Sequence, residues 1–267
     1  MTRLENLAVA RPVDTASLHA LDCSAGDLAD VMTAVSWARE FLAEPNPDLG
    51  RKGPVCPYIR HSLDERLLHV VCREDEDCDS YELRSTVRKM KRRFAELQNQ
   101  AGRQSAHLVS ILIILPRIDR ISADALNKLH SRLKDEFVAE GLMIGQFHPE
   151  CDAAGLWNDH FRPLQAPIPL LAIREMVSSD LPFLVGDPHH AATYLERFAR
   201  GIPAHTRRFM VDRLVPADPN ARGECPVGQS RPAAQRASSD QSPPIERRMT
   251  VMDEAEMYRP PSTGAIG

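Results

Sequence analysis

His148, Cys151, Trp157, His160 and Arg162 lie close together between two apolar runs, Leu142 to Phe147 and Ile168 to Ile173. Such side chains can ligate a metal, move a proton or bind an anion. His148 stands first among them. It follows Gly145-Gln146-Phe147 and precedes Pro149, at the end of a predicted strand. Strand ends are where ligands sit in an α/β sheet. Pro149 stops the strand and aims the imidazole out of the sheet edge. A histidine there can ligate a metal, hold a substrate oxygen or act as acid and base; the alternative is a structural histidine bonded to loop carbonyls.

Cys151 makes a His148-x-x-Cys151 pair. A structural zinc site needs four ligands, so Cys56 and His160 would have to complete it; no C-x-x-C occurs in the chain. Cys56, held between Val55 and Pro57, can place its sulfur at the tip of a rigid turn. Thiolate and imidazole are both axial ligands for haem iron. The alternative for Cys56 is a small buried apolar residue. Either Cys56 or Cys151 can also be read as a catalytic nucleophile with His148 as its base.

Arg162 and Arg174 flank the crossover FRPLQAPIPLLAIR. Their planar forks suit carboxylates, haem propionates included. The alternative is a pair of ion pairs that hold the loop to Asp159 or Asp180. Trp157 either packs the loop down or stacks on a bound group. No G-x-S-x-G elbow, G-x-G-x-x-G or Walker A sequence is present, which disfavours those hydrolase and nucleotide modes.

These residues need elements to position them. Ser24 is a good N-cap for a helix over 25–43, which Glu44-Pro45-Asn46-Pro47 ends. A Pro/Gly loop carrying Cys56 leads through a short helical turn at 58–64. Strands are predicted at 66–73, 108–115, 142–147 and 168–173, with amphipathic helices at 80–100 and 123–140 between the first three. Ser122 caps the second of these helices and Gly141 ends it. The basic centre of the first, RKMKRRF, reads as a wet face, with a phosphate or acidic partner as the alternative. Helices follow at 188–201 and 206–214. The alternation predicts an α/β (or α+β) fold. It is a single sheet of about four strands with parallel pairs, packed by amphipathic helices as a two- or three-layer sandwich. Right-handed crossovers would put the helices at 80–100 and 123–140 on one face.

The chain of 267 residues is 43% apolar with a net charge of −4 and 5% aromatic residues. A broad basic nucleic-acid surface is excluded on those grounds. No apolar run is long enough for a membrane helix. The N-terminus does not read as a secretory signal, so the expected location is cytoplasmic. Six cysteines without regular spacing read as thiols or ligands, not a disulfide framework. Residues 1–20 read as an irregular lead-in, 21–214 as one globular domain, and 215–267 as a disordered Pro/Ser-rich tail. A protein partner can engage that tail, with Met249 to Tyr258 as a transient helix. A homodimer is equally compatible with the sequence.

The segments GRKGPVCPY, LMIGQFHPEC, GLWNDHFRPLQAPIPLLAIREMV and DLPFLVGD resemble an uncharacterised actinobacterial family, a domain of unknown function, over about residues 37–198. A looser resemblance is to the YqcI/YcgG-like family of haem-dependent hydroxylases. Its Pro-Cys-Pro and His-Pro segments correspond to Val55-Cys56-Pro57 and His148-Pro149, with Val55 departing from the pattern. That resemblance implies a haem oxygenase or related redox enzyme acting on a small amino- or carboxylate-bearing metabolite of secondary metabolism. It further implies His148 as axial ligand, Cys56 nearby, and Arg162 or Arg174 on a carboxylate. The competing expectation is a non-catalytic ligand-binding or protein-interaction module. A loop that packs onto the sheet with no cavity beside His148 favours the module.

Overall fold

The computed structural model describes residues 11–13, 18, 21, 23–118 and 123–214. Most of the expected lead-in falls outside these residues. So do Ser122, Cys225 and the whole expected tail, including Met249 to Tyr258. The strands are β1 (Arg11–Pro12), β2 (Leu68–Cys72), β3 (Ser110–Ile114), β4 (Leu142–Phe147) and β5 (Leu170–Glu175). They form one sheet in the order β1-β2-β3-β5-β4. The four predicted strands are all present. β1, only two residues long, has no alternation for a sequence reading to detect, and its Pro12 sits on an edge strand, where proline is tolerated.

The helices are α1 (Ala25–Trp37), α2 (Ile59–Asp64), α3 (Tyr81–Ser105), α4 (Ala123–Val138), α5 (Pro188–Phe198) and α6 (Ala204–Leu214). α3 links β2 to β3, which pair in parallel. α4 links β3 to β4, and the two strands run the same way. They are not neighbours, because β5 enters between them antiparallel to both. β5 follows β4 through a loop without a crossover helix, so it returns antiparallel. Only one of the expected parallel pairs is therefore hydrogen-bonded directly.

Both crossover helices cover one face of the sheet. Phe94 and Leu97 of α3 and Leu129, Leu133 and Phe137 of α4 pack on Ile111, Ile113 and Ile173. The opposite face is covered by Val31, Ala34 and Val35 of α1, set on Val70, Leu112 and Ile114. The result is a three-layer α/β sandwich. β3 is buried on both sides along its whole length, as its unbroken apolar run requires.

Local chemistry fixes the helix ends. The Ser24 hydroxyl accepts from the Asp27 N–H at 3.1 Å, and the Ser80 hydroxyl from the Leu83 N–H at 3.0 Å; each satisfies a first-turn amide. α4 ends at Gly141 with φ +74°, and a Cβ there would sit 2.6 Å from Arg197 Nη1. The predicted helix at 25–43 is not uniform. Beyond Trp37 it widens into a π-helical turn, Ala38–Leu42, closed by the Ala43 N–H donating to the Ala38 carbonyl at 3.0 Å. The basic centre of α3 is only partly a wet face. Arg88 forks onto Glu136 and Lys91 reaches Glu140 at 2.6 Å, so two of its cations tie α3 to α4 and its end. Among the described residues no helix is long and apolar enough to cross a membrane.

Candidate functional site

The loop between β4 and β5 is a closed structure built around the His148 backbone. The His148 N–H donates to the Leu164 carbonyl at 3.3 Å, and the His148 carbonyl accepts from Cys151 at 3.1 Å and Ala166 at 3.4 Å. One residue thereby clamps both ends of the loop, the geometry of a compact Ω-loop. Inside it, the Gly155 N–H donates to the Phe161 carbonyl at 2.9 Å. Asn158 supports a side-chain turn by accepting from the His160 N–H at 2.9 Å.

The loop lies on the segment after α1. Asn158 Nδ2 donates to the Asp48 carbonyl at 2.7 Å. Gly50, at φ +78°, comes so close to Trp157 that a Cβ would meet the Trp157 carbonyl oxygen at 2.6 Å. These contacts are made by Asp48, Gly50, Trp157 and Asn158, not by Cys56 and His148.

The His148 side chain is 2% exposed. Its Nε2 lies 3.2 Å from Asn127 Oδ1 of α4, within reach to donate to that amide oxygen. Nδ1 is buried and has no hydrogen-bond partner among the described residues. Burial holds the imidazole pKa below its ordinary value, against the opposing charges of Glu150, Asp152 and Asp124. A haem would need an open face above this ring. Enclosed under the loop, with Nε2 engaged, the residues present do not fit one.

Cys56 belongs to a different neighbourhood. Its N–H donates to the Leu42 carbonyl at 2.8 Å, and its thiol interacts electrostatically with Tyr58 and Arg174. Arg174 pairs across the sheet with Met143, five residues before His148 and so about 16 Å along the strand from it. Arg174 spends its fork on Asp180, at 2.7 and 2.6 Å, and lies over the Tyr58 ring at 5.3 Å. Arg162 donates to the carbonyls of Asp159 and Phe161. Arg174 is thus held in an ion pair with Asp180, while Arg162 binds its own loop through backbone carbonyls. Trp157 is 54% exposed. Among the described residues no three His, Cys, Asp or Glu side chains form a group that could hold a metal ion.

Cys151 is buried. Desolvation raises its thiol pKa, offset in part by the Ala153 amide and Arg162. Burial pushes Cys78 up to about 11 and Cys72 higher still. All three stay protonated near neutral pH, which removes their nucleophilicity. Iodoacetamide should label Cys72, Cys78 and Cys151 only after unfolding. Rapid labelling of Cys151 in the folded chain, mapped by peptide mass, would revive it as a nucleophile.

Three histidines, the buried His69 and His148 and the half-buried His130, set the acid response. Desolvation lowers the pKa of His69, His130 and His148 from the unfolded value of about 6.5. The unfolded chain therefore takes up protons first as pH falls. Stability is complete above about pH 6.5 and declines below it. Asp27 and Glu136 are also lowered, by Arg117 and Arg88, but from values near 4, so they act at lower pH. Melting temperatures should fall steadily between about pH 7 and pH 5, and less steeply in His148→Gln. A melting temperature that rises over that range contradicts the assignment.

The surface that the sequence reading missed is an open groove of about 490 Å³. Met32, Thr33, Ser36 and Trp37 of α1, Glu40 and Phe41 of the π turn, and Pro167 line it. Trp37 stacks on Phe41 at 5.8 Å and meets Phe147 edge-on at 5.7 Å. Phe41 touches Phe161 at 6.0 Å. The groove floor is thereby joined to β4 and to the Ω-loop. A signal was present: α1 has more apolar residues than one core stripe can hold. Val31, Ala34, Val35 and Ala38 face the sheet, and Met32 is left 47% exposed.

An α/β sandwich with a closed loop over its strand-end histidine and an aromatic groove beside it defines the class of domain. The chain belongs to the family described as Domain of unknown function (DUF6875), which matches residues 31–209. No curated protein and no solved structure matches it. The haem-hydroxylase resemblance gains no support from these comparisons.

Proposed function

We propose that the domain is a small-ligand-binding module whose site is the groove over the π turn. The observation that carries this reading is the pairing of an aromatic floor, Trp37 and Phe41, with one carboxylate, Glu40. A volume of about 490 Å³ is in the range of small-molecule sites. π-helical turns are frequent at functional sites. The ligand class follows from the chemistry: an aromatic face and a carboxylate favour an apolar amine, through cation–π and charge-assisted contacts. Glu40 disfavours a carboxylate in the same place. The burial of His148 under its loop supports a module over an enzyme that uses this imidazole.

The test uses Trp157→Phe, which leaves Trp37 as the sole tryptophan of the two. Titration with phenethylamine should quench or shift its emission saturably, and Glu40→Gln should weaken binding about tenfold. A signal that fails to saturate into the millimolar range overturns the reading. A Soret band in protein purified with haem supplied, abolished in His148→Ala, would likewise overturn it.

A further inference from the structure

The second groove, of about 280 Å³, lies on α3, whose core side packs against the sheet face opposite α1. Tyr81, Ser85, Arg88, Lys89 and Arg92 line it. These positions fall within one arc of the helix, since residues three, four, seven, eight and eleven apart share a face. Three neighbouring cations of this helix are engaged: Arg84 with Asp79 at 3.9 Å, Lys91 with Glu140 at 2.6 Å, and Arg93 with Glu96 at 3.0 Å. Within the groove, Arg88 is held by Glu136 at 2.6 Å. Lys89 and Arg92 are exposed, and no ion pair joins either to a described residue. Tyr81 adds a ring that is 70% exposed. The stripe therefore offers two cations unpaired among the described residues, a third that is shared, two hydroxyls and an aromatic face.

We infer that this stripe docks the chain's own segment Met252 to Tyr258, MDEAEMY. Charge complementarity selects it: Asp253, Glu254 and Glu256 place three carboxylates within four positions, with no cation among the seven residues. Met257 and Tyr258 are suited to contact with Tyr81. The tether permits it, because residues 215–252 follow α6 and a chain of that length spans at most about 130 Å. Surface ion pairs are individually weak and screened by salt. Tethering raises the effective concentration of such a segment to the millimolar range, where weak pairs suffice. The docking surface is separate from the groove over the π turn, so either can fail without the other.

Hydrogen exchange of residues 249–258 in the full chain tests this. At about 50 mM salt their exchange should be slowed about fivefold, and at about 500 mM the protection should vanish. Lys89→Glu with Arg92→Glu should abolish it with an unchanged melting temperature. Adding Asp253→Lys, Glu254→Lys and Glu256→Lys to that variant should restore it. Three outcomes overturn the inference. One is no protection at low salt. Another is protection indifferent to these charges. The last is protection that grows with protein concentration, which would assign the stripe to a second copy, or that forms only on addition of an acidic protein.

Discussion

Phe137→Ala should destabilise the fold by about 4 kcal/mol, the range for deleting a buried phenylalanine. Phe137 is wholly buried and sits where α4 meets α3 and the sheet. Lys91 lies over its ring at 5.5 Å and reaches Glu140 just beyond the end of α4. The substitution therefore opens a cavity and removes the surface under that ammonium. Chemical denaturation should show a lower midpoint with an unchanged slope. The melting temperature should drop by roughly 10 °C. Phe137→Leu, which keeps most of the volume, should cost less than half as much. A Phe137→Ala loss below about 1 kcal/mol would mean that α4 does not pack as described.

Asp180→Ala should cost about 3 kcal/mol, the lower end for breaking a buried ion pair. The Asp180 side chain is 2% exposed and that of Arg174 25%, so water relieves part of the penalty on the stranded guanidinium. Asp180 also accepts from the Val177 N–H at 2.8 Å, and that amide loses its partner too. The contrast is Glu136→Ala. It breaks an equally well-formed fork, but Arg88 and Glu136 are 48% and 34% exposed, and the expected loss is under about 1 kcal/mol. Replacing Arg174 and Asp180 together by Met and Leu should recover part of the Asp180→Ala loss, since no buried charge is left alone. Equal losses at Asp180 and Glu136 in denaturant melts would remove the argument from burial.

His148 was legible as a special position because a His-Pro step ends an apolar run. What it does was not legible. Its hydrogen-bond partner Asn127 comes from α4, 21 positions upstream, and no local pattern marks that residue. Arg174 was legible as one of two choices, anion binder or partner of Asp180, and geometry decided for Asp180. The pairing of Cys56 with His148 rested on the haem-hydroxylase resemblance and on thiolate and imidazole both being haem ligands. Register separates them, since Cys56 neighbours Arg174 and Arg174 lies opposite Met143. The groove over the π turn is hidden from the sequence because Trp37 and Phe41 share the helical spacing of the core-facing residues. An α-helical period places residues four apart on one face whichever way the face points.

The order of strands and helices, the capping of α1 and α3 by Ser24 and Ser80, and the two-sided burial of β3 were properties of the sequence alone. They follow from hydrophobic period and from the few side chains that satisfy free amides, both of which act within a turn or a strand. Tertiary structure decided the rest. It inserted β5 between β3 and β4, enclosed His148, sent Arg174 to the far end of the strand, and left an aromatic groove outside. Each of these depends on which distant segments meet. Loop closure and sheet register settle that by the sum of many long-range contacts, with no local signature to read.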